Sequence, residues 1–299
     1  MRGLFILNGR RLSFCFTQQV QQAIHRFQSE QDTLYVIQAA KQEGFKSIRI
    51  ELFYGLPKQG LKEFSYTLEQ IINANPNQIN LLSYLHLPEK FKPQRRINRD
   101  DLPSAETKLE SLQFAIFRLT DAGYIHIGMN LFAKQDDPLV TAQRQGRLNY
   151  NIRGFTIYPD SNFVAIGASS IGSVGPTLIQ NHCDLLQYYD KLAYDQIPVM
   201  QGFELSADDL LRRTVIHALI CHSVLSFESI ETTFPINFKH YFATELIELM
   251  VHERAGLLAI ADEEIAITSI GRLLISSICM VFDKYQRVSR ARFFNARVI

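Results

Sequence analysis

Residues 46–53 are Lys-Ser-Ile-Arg-Ile-Glu-Leu-Phe (KSIRIELF), and this stretch decides the fold. Apolar and polar side chains alternate along it and isoleucine recurs, which predicts a β-strand. The tripeptide Gly55-Leu56-Pro57 follows and predicts the end of the strand. Helical and extended patterns alternate around this strand. That order is typical of an α/β fold with a parallel sheet, either open or barrel-like.

The neighbouring elements place the ends of several strands at one edge of that sheet. Helices are predicted over residues 32–42, 61–74 and 105–122, and further strands over residues 79–85 and 124–132. Asp32 and Gly44 are the expected caps of the first helix. Ligands of such sheets bind at the C-terminal ends of the strands, so we expect a site at residues 51–55, 83–86 and 128–132. Fewer than 46 residues precede the first strand, so we expect an incomplete sheet.

The second half of the chain predicts a different, mostly helical unit after about Gly175. Short strands are predicted within residues 155–167, and helices over residues 206–221, 237–253 and 270–285. Residues 256–268 predict a hairpin with an acidic tip, and helix, hairpin and helix together suggest a winged-helix-like unit. We therefore expect an incomplete (β/α) barrel over residues 1–175 and a helical domain over residues 176–299.

The composition narrows the class of protein. The chain has 299 residues, 46% of them hydrophobic, which is enough for a large buried core. Its formal net charge of +1 gives no overall attraction to nucleic acid or to an anionic membrane. No apolar run reaches about 18 residues, so no membrane span is expected. The start of the chain lacks a signal-peptide cleavage pattern, and we expect a cytoplasmic protein.

The cysteines and histidines give no metal-binding pattern. Cys15, Cys183, Cys221 and Cys279 are too widely spaced for a zinc knuckle or an iron–sulfur motif. We interpret them as buried or free thiols in a reducing compartment. The eight histidines include no closely spaced pair of the metal-binding kind, so no metal ligand is assigned.

Several short motifs, taken in order, bring one family into view. They are LFYGLPKQ (52–59), YLHLP (84–88), GMNLFA (128–133), IGASSI (166–171), GRLLI (271–275), ICM (278–280), FD (282–283) and RVI (297–299). In this order and at these spacings the chain resembles the oxygen-independent coproporphyrinogen III oxidases. These are radical S-adenosylmethionine enzymes of heme and porphyrin biosynthesis. The resemblance covers about residues 20–299 and includes the C-terminal domain, so the fold it implies is an incomplete radical-enzyme barrel with a helical, winged-helix-like end.

The resemblance implies an activity, cofactors and a partner. The family is an oxidoreductase that converts two propionates of coproporphyrinogen III to vinyl groups by anaerobic oxidative decarboxylation, which gives protoporphyrinogen IX. A 4Fe–4S cluster and two molecules of S-adenosylmethionine serve as cofactors. The implied partner is therefore a tetrapyrrole substrate, with neither nucleic acid nor membrane.

One departure from the family affects the activity directly. The family holds its cluster with a C-x-x-x-C-x-x-C motif, and these residues contain none. We therefore expect a truncated chain that is not active alone, and no catalytic residue is assigned. A separate N-terminal fragment or self-association would then cover the unpaired edge of the sheet.

Arg26 and Glu51 are the first two candidate cofactor-binding residues. Arg26 lies in His25-Arg26-Phe27-Gln28, which resembles a family motif whose arginine pairs with the carboxylate of the second cofactor. A surface helix arginine is an equally open interpretation. Glu51 stands where the family has aspartate, which accepts hydrogen bonds from the cofactor. An ion pair with Arg49 or a lysine is the alternative for Glu51.

Leu85 and Ile171 complete the candidate set by resemblance. Leu85 replaces a small alanine beside the first cofactor, and its larger side chain is expected to fill part of that pocket. Ile171 matches a family residue that contacts the same cofactor, with ordinary core packing as the alternative. Asn130 and Leu131 replace an Asp-His pair of the family, which removes two titratable groups near a strand end.

A basic segment follows the second predicted strand. It contains Lys90, Lys92, Arg95, Arg96 and Arg99. It suits a substrate with four carboxylates, and a solvated loop is the alternative. Tyr54, Tyr84 and His86 either line a tetrapyrrole pocket or belong to the core.

The altered positions also leave a second function open. This is a non-catalytic protein that binds a tetrapyrrole or S-adenosylmethionine. Nucleic-acid binding by the winged-helix-like end is disfavoured, because its tip, Ala261-Asp262-Glu263-Glu264, is acidic.

Overall fold

The structure is a computed structural model, in which residues 4–7, 15–159 and 162–286 are described. The chain forms two compact units, one up to Thr141 and the other from Ala142. The first unit contains strands β1 (Leu4–Leu7), β2 (Ser47–Tyr54), β3 (Gln78–Ser83), β4 (Tyr124–Gly128) and β5 (Leu131–Lys134), and helices α1 (Gln18–Ala23), α2 (Glu30–Gln42), α3 (Leu61–Ala74) and α4 (Ala105–Asp121). Two 3-10 turns, Lys92–Arg96 and Arg99–Asp101, lie between β3 and α4. Helix α5 (Pro138–Arg144) crosses the division between the units.

The first unit is built on a five-stranded sheet with the order β1-β2-β3-β5-β4. Strand β2 pairs in parallel with both β1 and β3, as the alternating pattern of KSIRIELF predicts. One face of β2 carries Ile48, Ile50 and Leu52, all fully buried in the core. That core also contains Phe64, Leu68 and Ile71 of α3 and Ala115 and Leu119 of α4. Each such side chain stabilises the fold by about 1.5–3 kcal/mol.

The predicted third strand, 124–132, is wrong as a single strand. It is a hairpin in which β4 and β5 pair antiparallel. Met129 has a φ of +49°, and its carbonyl lies 3.0 Å from His126 Nε2, so the chain reverses within the run that was predicted as one strand. Strand β5 lies between β3 and β4 and pairs antiparallel with β3. The sheet is therefore mixed, and it does not close into a barrel within the described residues.

Other details of the first unit also differ from expectation. Helix α2 begins at Glu30, because Ser29, and not Asp32, is its N-cap and accepts from the Asp32 amide at 2.9 Å. Strand β1 was not predicted from the sequence, and it pairs in register with Ser47–Ile50 of β2. The C-cap of α2 is Glu43, one residue before the predicted Gly44, which follows it with a φ of +76°.

The second unit combines small sheets with helices. Its strands are β6 (Asn149–Asn151), β7 (Gly154–Thr156), β8 (Ile171–Val174), β9 (Thr177–Asn181), β10 (Val199–Glu204), β11 (Val224–Ser226), β12 (Leu258–Ile260) and β13 (Glu264–Ile267). Its helices are α6 (Leu185–Ala193), α7 (Ala207–His222), α8 (Phe227–Thr233), α9 (Phe238–Tyr241), α10 (Ala243–Arg254), α11 (Ser269–Leu273) and α12 (Ile275–Phe282). Strands β8, β9 and β10 form one antiparallel sheet, so the mostly helical prediction is wrong for residues 177–181 and 199–204.

Several boundaries in the second unit also differ. The predicted strands within 155–167 are replaced by the hairpin β6–β7, and residues 160–161 of that range lie outside the described part. The predicted helix 237–253 is broken at Phe242, and the helix 270–285 is broken at Leu274. The acidic-tipped hairpin is confirmed, since β12 and β13 pair antiparallel and join β11 in one sheet. The α/β class with a winged-helix-like end therefore stands.

The predicted domain boundary after residue 175 stays a prediction. It separates a barrel part from a family-specific part, whereas compactness places the division between Thr141 and Ala142. Compactness does not show which residues belong to a family-specific domain.

Candidate functional site

The candidate site lies at one edge of the sheet in the first unit. Strand β2 pairs with β3 up to Tyr54 and Ser83, and the Tyr84 amide donates to the Tyr54 carbonyl at 2.9 Å. The Leu81 amide donates to the carbonyl of Asn130, in the turn after β4, at 2.8 Å. The three predicted strand ends are thus neighbours, as expected for strands whose C-terminal ends meet.

A buried glutamine shapes the turn that leaves β2. Gln59 is only 2% exposed; its Oε1 accepts from the Leu56 amide at 3.0 Å and its Nε2 donates to the Phe53 carbonyl at 3.3 Å. Gly55 has a φ of +78°, a conformation that side chains rarely adopt. The side chain of Lys108 crosses this glycine, since an added Cβ would lie 2.9 Å from Lys108 Cε. The turn therefore places a lysine from α4 over the end of β2.

The Arg26 segment packs against the same edge. Cys15, Val20 and Leu56 form a small buried cluster, with Ile24, Phe53 and Tyr84 packed against it. Gln21 Nε2 donates to the carbonyls of Cys15 and Gln28 at 2.7 Å each, which ties the segment into a loop. The Arg26 amide donates to the Gln21 carbonyl at 3.0 Å, and its side chain is partly exposed. The structure therefore places Arg26 on a loop after α1 and not within a surface helix.

Glu51 lies on the face of β2 opposite the helical core. It stands beside Asn80 of β3 and is partly buried. On the same face Arg49 Nε donates to Gln78 Oε1 at 2.7 Å, and Gln78 Nε2 donates to Asp137 Oδ2 at 2.9 Å. Burial lowers the pKa of Arg49, while the carboxylates of Asp137 and then Glu51 oppose that change. Glu51 is thus a carboxylate held near a buried guanidinium.

Leu85 and Ile171 lie in different units. Leu85 follows β3 in the first unit and is 57% exposed, so its side chain does not pack into the core there. Its carbonyl accepts from Gln94 Nε2 at 3.0 Å. Ile171 begins β8 in the second unit and is 37% exposed. Arg26, Glu51 and Leu85 therefore belong to the first unit, and Ile171 belongs to the second.

A tyrosine and a histidine stand where β3 ends. Tyr84 Oη lies 3.2 Å from His86 Nδ1, and burial raises the pKa of Tyr84 to about 12. The pKa of His86 is lowered, first by burial and then by the charges of Arg99 and Lys108, while Glu89 opposes them. Neutral imidazole is therefore the favoured form of His86, and the surroundings of its ring are cationic.

The basic segment is folded against this edge. Gln94 Oε1 accepts from the Leu87 amide, and Arg95 Nε donates to the Pro88 carbonyl at 3.1 Å. His25 Nε2 lies 3.4 Å from the Arg96 carbonyl, which joins the basic segment to the Arg26 loop. The lysine and arginine side chains of the segment are exposed. The edge thus combines cations with aromatic side chains.

The described cysteines do not fit a 4Fe–4S cluster. Cys15, Cys221 and Cys279 are buried, and burial raises the pKa of each thiol, that of Cys221 and Cys279 to about 12. Cys183 is exposed, and ligation of such a cluster requires several cysteines grouped at one place. Within residues 15–159 and 162–286 no three His, Cys, Asp or Glu side chains are grouped so that they would hold a metal ion. We therefore derive no step through a cluster on these residues.

Sequence reasoning missed Gln21, Gln59, Gln78 and Lys108. Gln78 and Lys108 contact groups distant along the chain, whereas Gln21 and Gln59 bond to backbone groups three to seven residues away. A buried glutamine has no pattern of its own, although the position of Gln59 after Gly-Leu-Pro-Lys hints at a turn. None of the helices in the described ranges is long and apolar enough to cross a membrane.

The fold and site define an α/β protein with a ligand edge on an open sheet, followed by a unit with a winged-helix-like end. The HemN C-terminal domain model matches residues 205–274, which run from the start of α7 through α11. The solved structure of coproporphyrinogen III oxidase (HemN) from Escherichia coli, described as a radical SAM enzyme, is similar with a TM-score of 0.88 and 37% identity; the match covers 95% of this chain and 64% of that one.

Curated relatives give the same family. The oxygen-independent coproporphyrinogen III oxidase of Pseudomonas aeruginosa is 42% identical over 95% of this chain and 62% of its own length. The protein of the same name from Thermostichus vulcanus is 36% identical over 100% of this chain and 94% of its own length. The chain belongs to the oxygen-independent coproporphyrinogen III oxidase family. It spans about three fifths of the length of the Pseudomonas and Escherichia proteins.

Proposed function

We propose that this chain carries the tetrapyrrole-facing part of an enzyme that decarboxylates two propionates of coproporphyrinogen III to vinyl groups. The observation that supports this most is the convergence at one sheet edge of the Arg26 loop, the end of β2 and the basic segment after β3. A tetrapyrrole with four carboxylates needs an aromatic wall and cationic groups, and that edge contains both. Family membership supplies the substrate class.

The proposal gives two residues of the first unit roles toward S-adenosylmethionine. Arg26 would pair with the carboxylate of the cofactor, because a guanidinium binds carboxylate through two parallel hydrogen bonds. Glu51 would accept hydrogen bonds from the cofactor, in place of the family's aspartate. Leu85 and Ile171 would provide apolar contact.

The proposal assigns radical generation to cluster ligands other than the four cysteines of this chain. In the family a 4Fe–4S cluster with S-adenosylmethionine supplies the radical that removes hydrogen from a propionate. The widely spaced cysteines of this chain do not form the three-cysteine motif that holds that cluster. We propose that cysteines beyond these 299 residues, on the same or another polypeptide, provide its ligands.

A reconstitution and titration experiment tests this proposal. The chain is incubated anaerobically with iron and sulfide, assayed for a cluster by absorbance, and titrated with S-adenosylmethionine and coproporphyrin III. We expect no cluster, saturable binding of both ligands, and S-adenosylmethionine binding about tenfold weaker in Arg26→Met. Arg254→Met, an exposed arginine of α10, is the matched control. Absence of saturable coproporphyrin III binding would reject the proposed function.

A second candidate function is a non-catalytic tetrapyrrole- or S-adenosylmethionine-binding protein. The β4–β5 turn favours it, because Asn130 is exposed and Leu131 is buried where the family has a titratable pair. That function predicts ligand binding without turnover even when a cluster-bearing segment is supplied. Upstream coding sequence with the three-cysteine motif would favour the enzyme instead.

Two further expectations belong to this proposal. The buried thiols support a reducing, cytoplasmic location, since burial keeps them free and protonated. The boundary after residue 175 would separate the barrel part from the family-specific part.

A separate N-terminal fragment or self-association is the proposed partner beside the tetrapyrrole.

A further inference from the structure

A lysine at the ligand edge of the first unit has no role in the proposed function as stated above. Lys108 lies in the first turn of α4, and its carbon chain crosses Gly55 at the end of β2. It is partly exposed, and it makes no ion pair with any acidic group in the described part of the chain. The carbon chain of Lys108 is thus held at the ligand edge, and among the described residues its ammonium group has no carboxylate partner.

Two other groups from separate elements lie close to that ammonium. His86 follows β3, and Lys108 and Arg99 are near enough to lower its pKa. Arg99, in the second 3-10 turn, has only a loose contact with Glu89 at 3.9 Å, and both side chains are about 70% exposed. Exposed pairs at such distances contribute little, so Arg99 stays available to a ligand. Lys58 differs, because it faces Asp101 at 3.7 Å and its amide donates to the Asp101 carbonyl.

We propose that Lys108, Arg99 and His86 form a carboxylate-binding site that takes a propionate of the tetrapyrrole at the C-terminal edge of the sheet. This inference rests on the proposed function and deepens it. Backbone contacts bring their three elements to the end of β2: the Tyr84 amide, two residues before His86, donates to the Tyr54 carbonyl, and the Lys58 amide donates to the carbonyl of Asp101, in the 3-10 turn of Arg99. The chain of Lys108, at the start of α4, crosses Gly55 at the same strand end. Tyr84, which contacts His86, provides an aromatic surface beside the site.

The position of Gly55 is part of the same arrangement. A side chain at this residue would meet Lys108 Cε at 2.9 Å and Lys108 Cγ at 3.1 Å. Glycine therefore leaves room for the lysine chain to lie flat across the strand end. The lysine head group is thereby directed by contact with backbone and not by an ion pair.

A protonation change should accompany binding at this site. The ring of His86 faces Arg99, Lys108, Glu89 and the Tyr84 hydroxyl, and the two cations favour its neutral form. A carboxylate placed among these groups adds the opposite charge, which raises the pKa of His86. Binding should therefore be accompanied by proton uptake at pH values between the lowered pKa of His86 in the free chain and its higher pKa in the complex.

Titration of three lysine variants tests the site. Coproporphyrin III, the stable oxidised form of the substrate, is the probe, and fluorescence gives its Kd for the whole chain. Lys108→Met is expected to weaken binding about tenfold, which is the loss of one charge-assisted hydrogen bond. Lys108→Arg should stay within about threefold of the original chain. Lys46→Met is the matched control, because Lys46 is an exposed lysine at the opposite end of β2.

Two further measurements distinguish the carboxylates of the tetrapyrrole from that of S-adenosylmethionine and detect variants that misfold. S-adenosylmethionine also carries a carboxylate, and its affinity should not change in Lys108→Met. Each variant is first checked for folding by circular dichroism melting. His86→Asn is a second test of the site, and it should weaken coproporphyrin III binding. It should also abolish proton uptake on binding, which is measured by calorimetry in two buffers. Equal coproporphyrin III affinity in Lys108→Met and Lys46→Met would overturn the inference. So would a loss confined to S-adenosylmethionine.

These results distinguish the inference from the proposed function. If the original chain binds no coproporphyrin III, both are rejected. If it binds and the Lys108 and His86 variants bind equally well, the proposed function survives and the carboxylate site is rejected. Weaker binding in both variants with an unchanged Lys46→Met supports the site.

Discussion

At the scale of single residues, buried polar side chains determine the shape of the ligand edge. Gln78 is 4% exposed and connects Arg49 to Asp137 on the face of the sheet that carries Glu51. A buried polar group without a hydrogen-bond partner lowers the stability of the fold by about 1–3 kcal/mol. The hydrogen bonds of Gln78 avoid that loss and stabilise the position of Arg49 near Glu51. The sequence could not predict this bridge, because the three partners are separated by 29 and 59 residues.

Replacing this glutamine gives a residue-scale prediction. Gln78→Leu leaves Arg49 Nε and the Asp137 carboxylate without their partner, and we expect the free energy of unfolding to fall by about 2 kcal/mol. Urea denaturation measures the change. Gln113→Leu, on an exposed position of α4, is the matched control and should change the free energy by less than about 0.5 kcal/mol. A Gln78→Leu chain as stable as the control would show that the bridge contributes nothing.

At the scale of elements, local sequence patterns predicted most helices and strands, but they did not predict several of the turns and breaks within them. The helix Leu61–Ala74 and the β12–β13 hairpin were predicted correctly, because amphipathic periodicity and turn chemistry are local. The β4–β5 hairpin was missed, since its turn, Gly128-Met129-Asn130, is short and lies inside a run that was predicted as one strand, and Met129 adopts the positive φ. The helix breaks at Phe242 and Leu274 were missed because both residues are apolar and fit a helical pattern.

The turn after β2 gives a prediction at the scale of elements. Gly55→Ala forces a side chain into a positive-φ position and displaces Lys108. We expect a stability loss of about 1 kcal/mol together with weaker coproporphyrin III binding. Gly44→Ala is the control, because Gly44 has nearly the same φ, +76°, and an added Cβ there meets nothing within 4 Å.

The comparison of these two glycines separates strain from function. Both variants should lose similar stability in a urea titration, and only Gly55→Ala should lose affinity by fluorescence titration. Equal affinities in the two variants would mean that the position of Lys108 over Gly55 has no part in ligand binding.

At the scale of the whole molecule, the sequence predicted the family and the edge of the sheet better than the roles of its residues. The motifs at 52–59, 84–88 and 128–133 are strand ends, and the structure brings them together. Of the residues proposed from resemblance, Arg26, Glu51 and Leu85 lie in the first unit, and Ile171 lies in the second. Their roles toward a cofactor stay predictions, because a role depends on contacts with a ligand that no periodic pattern encodes.

The central claim is that this chain carries the substrate-facing part of a coproporphyrinogen III decarboxylase and relies on cluster ligands from outside these residues. The most direct measurement is anaerobic turnover of coproporphyrinogen III by two proteins: the chain alone, and the chain joined to the cluster-bearing N-terminal segment of the Pseudomonas aeruginosa relative. We predict no protoporphyrinogen IX from the chain alone and protoporphyrinogen IX from the fusion after cluster reconstitution, each measured as protoporphyrin after oxidation of the quenched sample. A fusion that folds, holds its cluster and binds coproporphyrin III, yet forms no product, would contradict the claim.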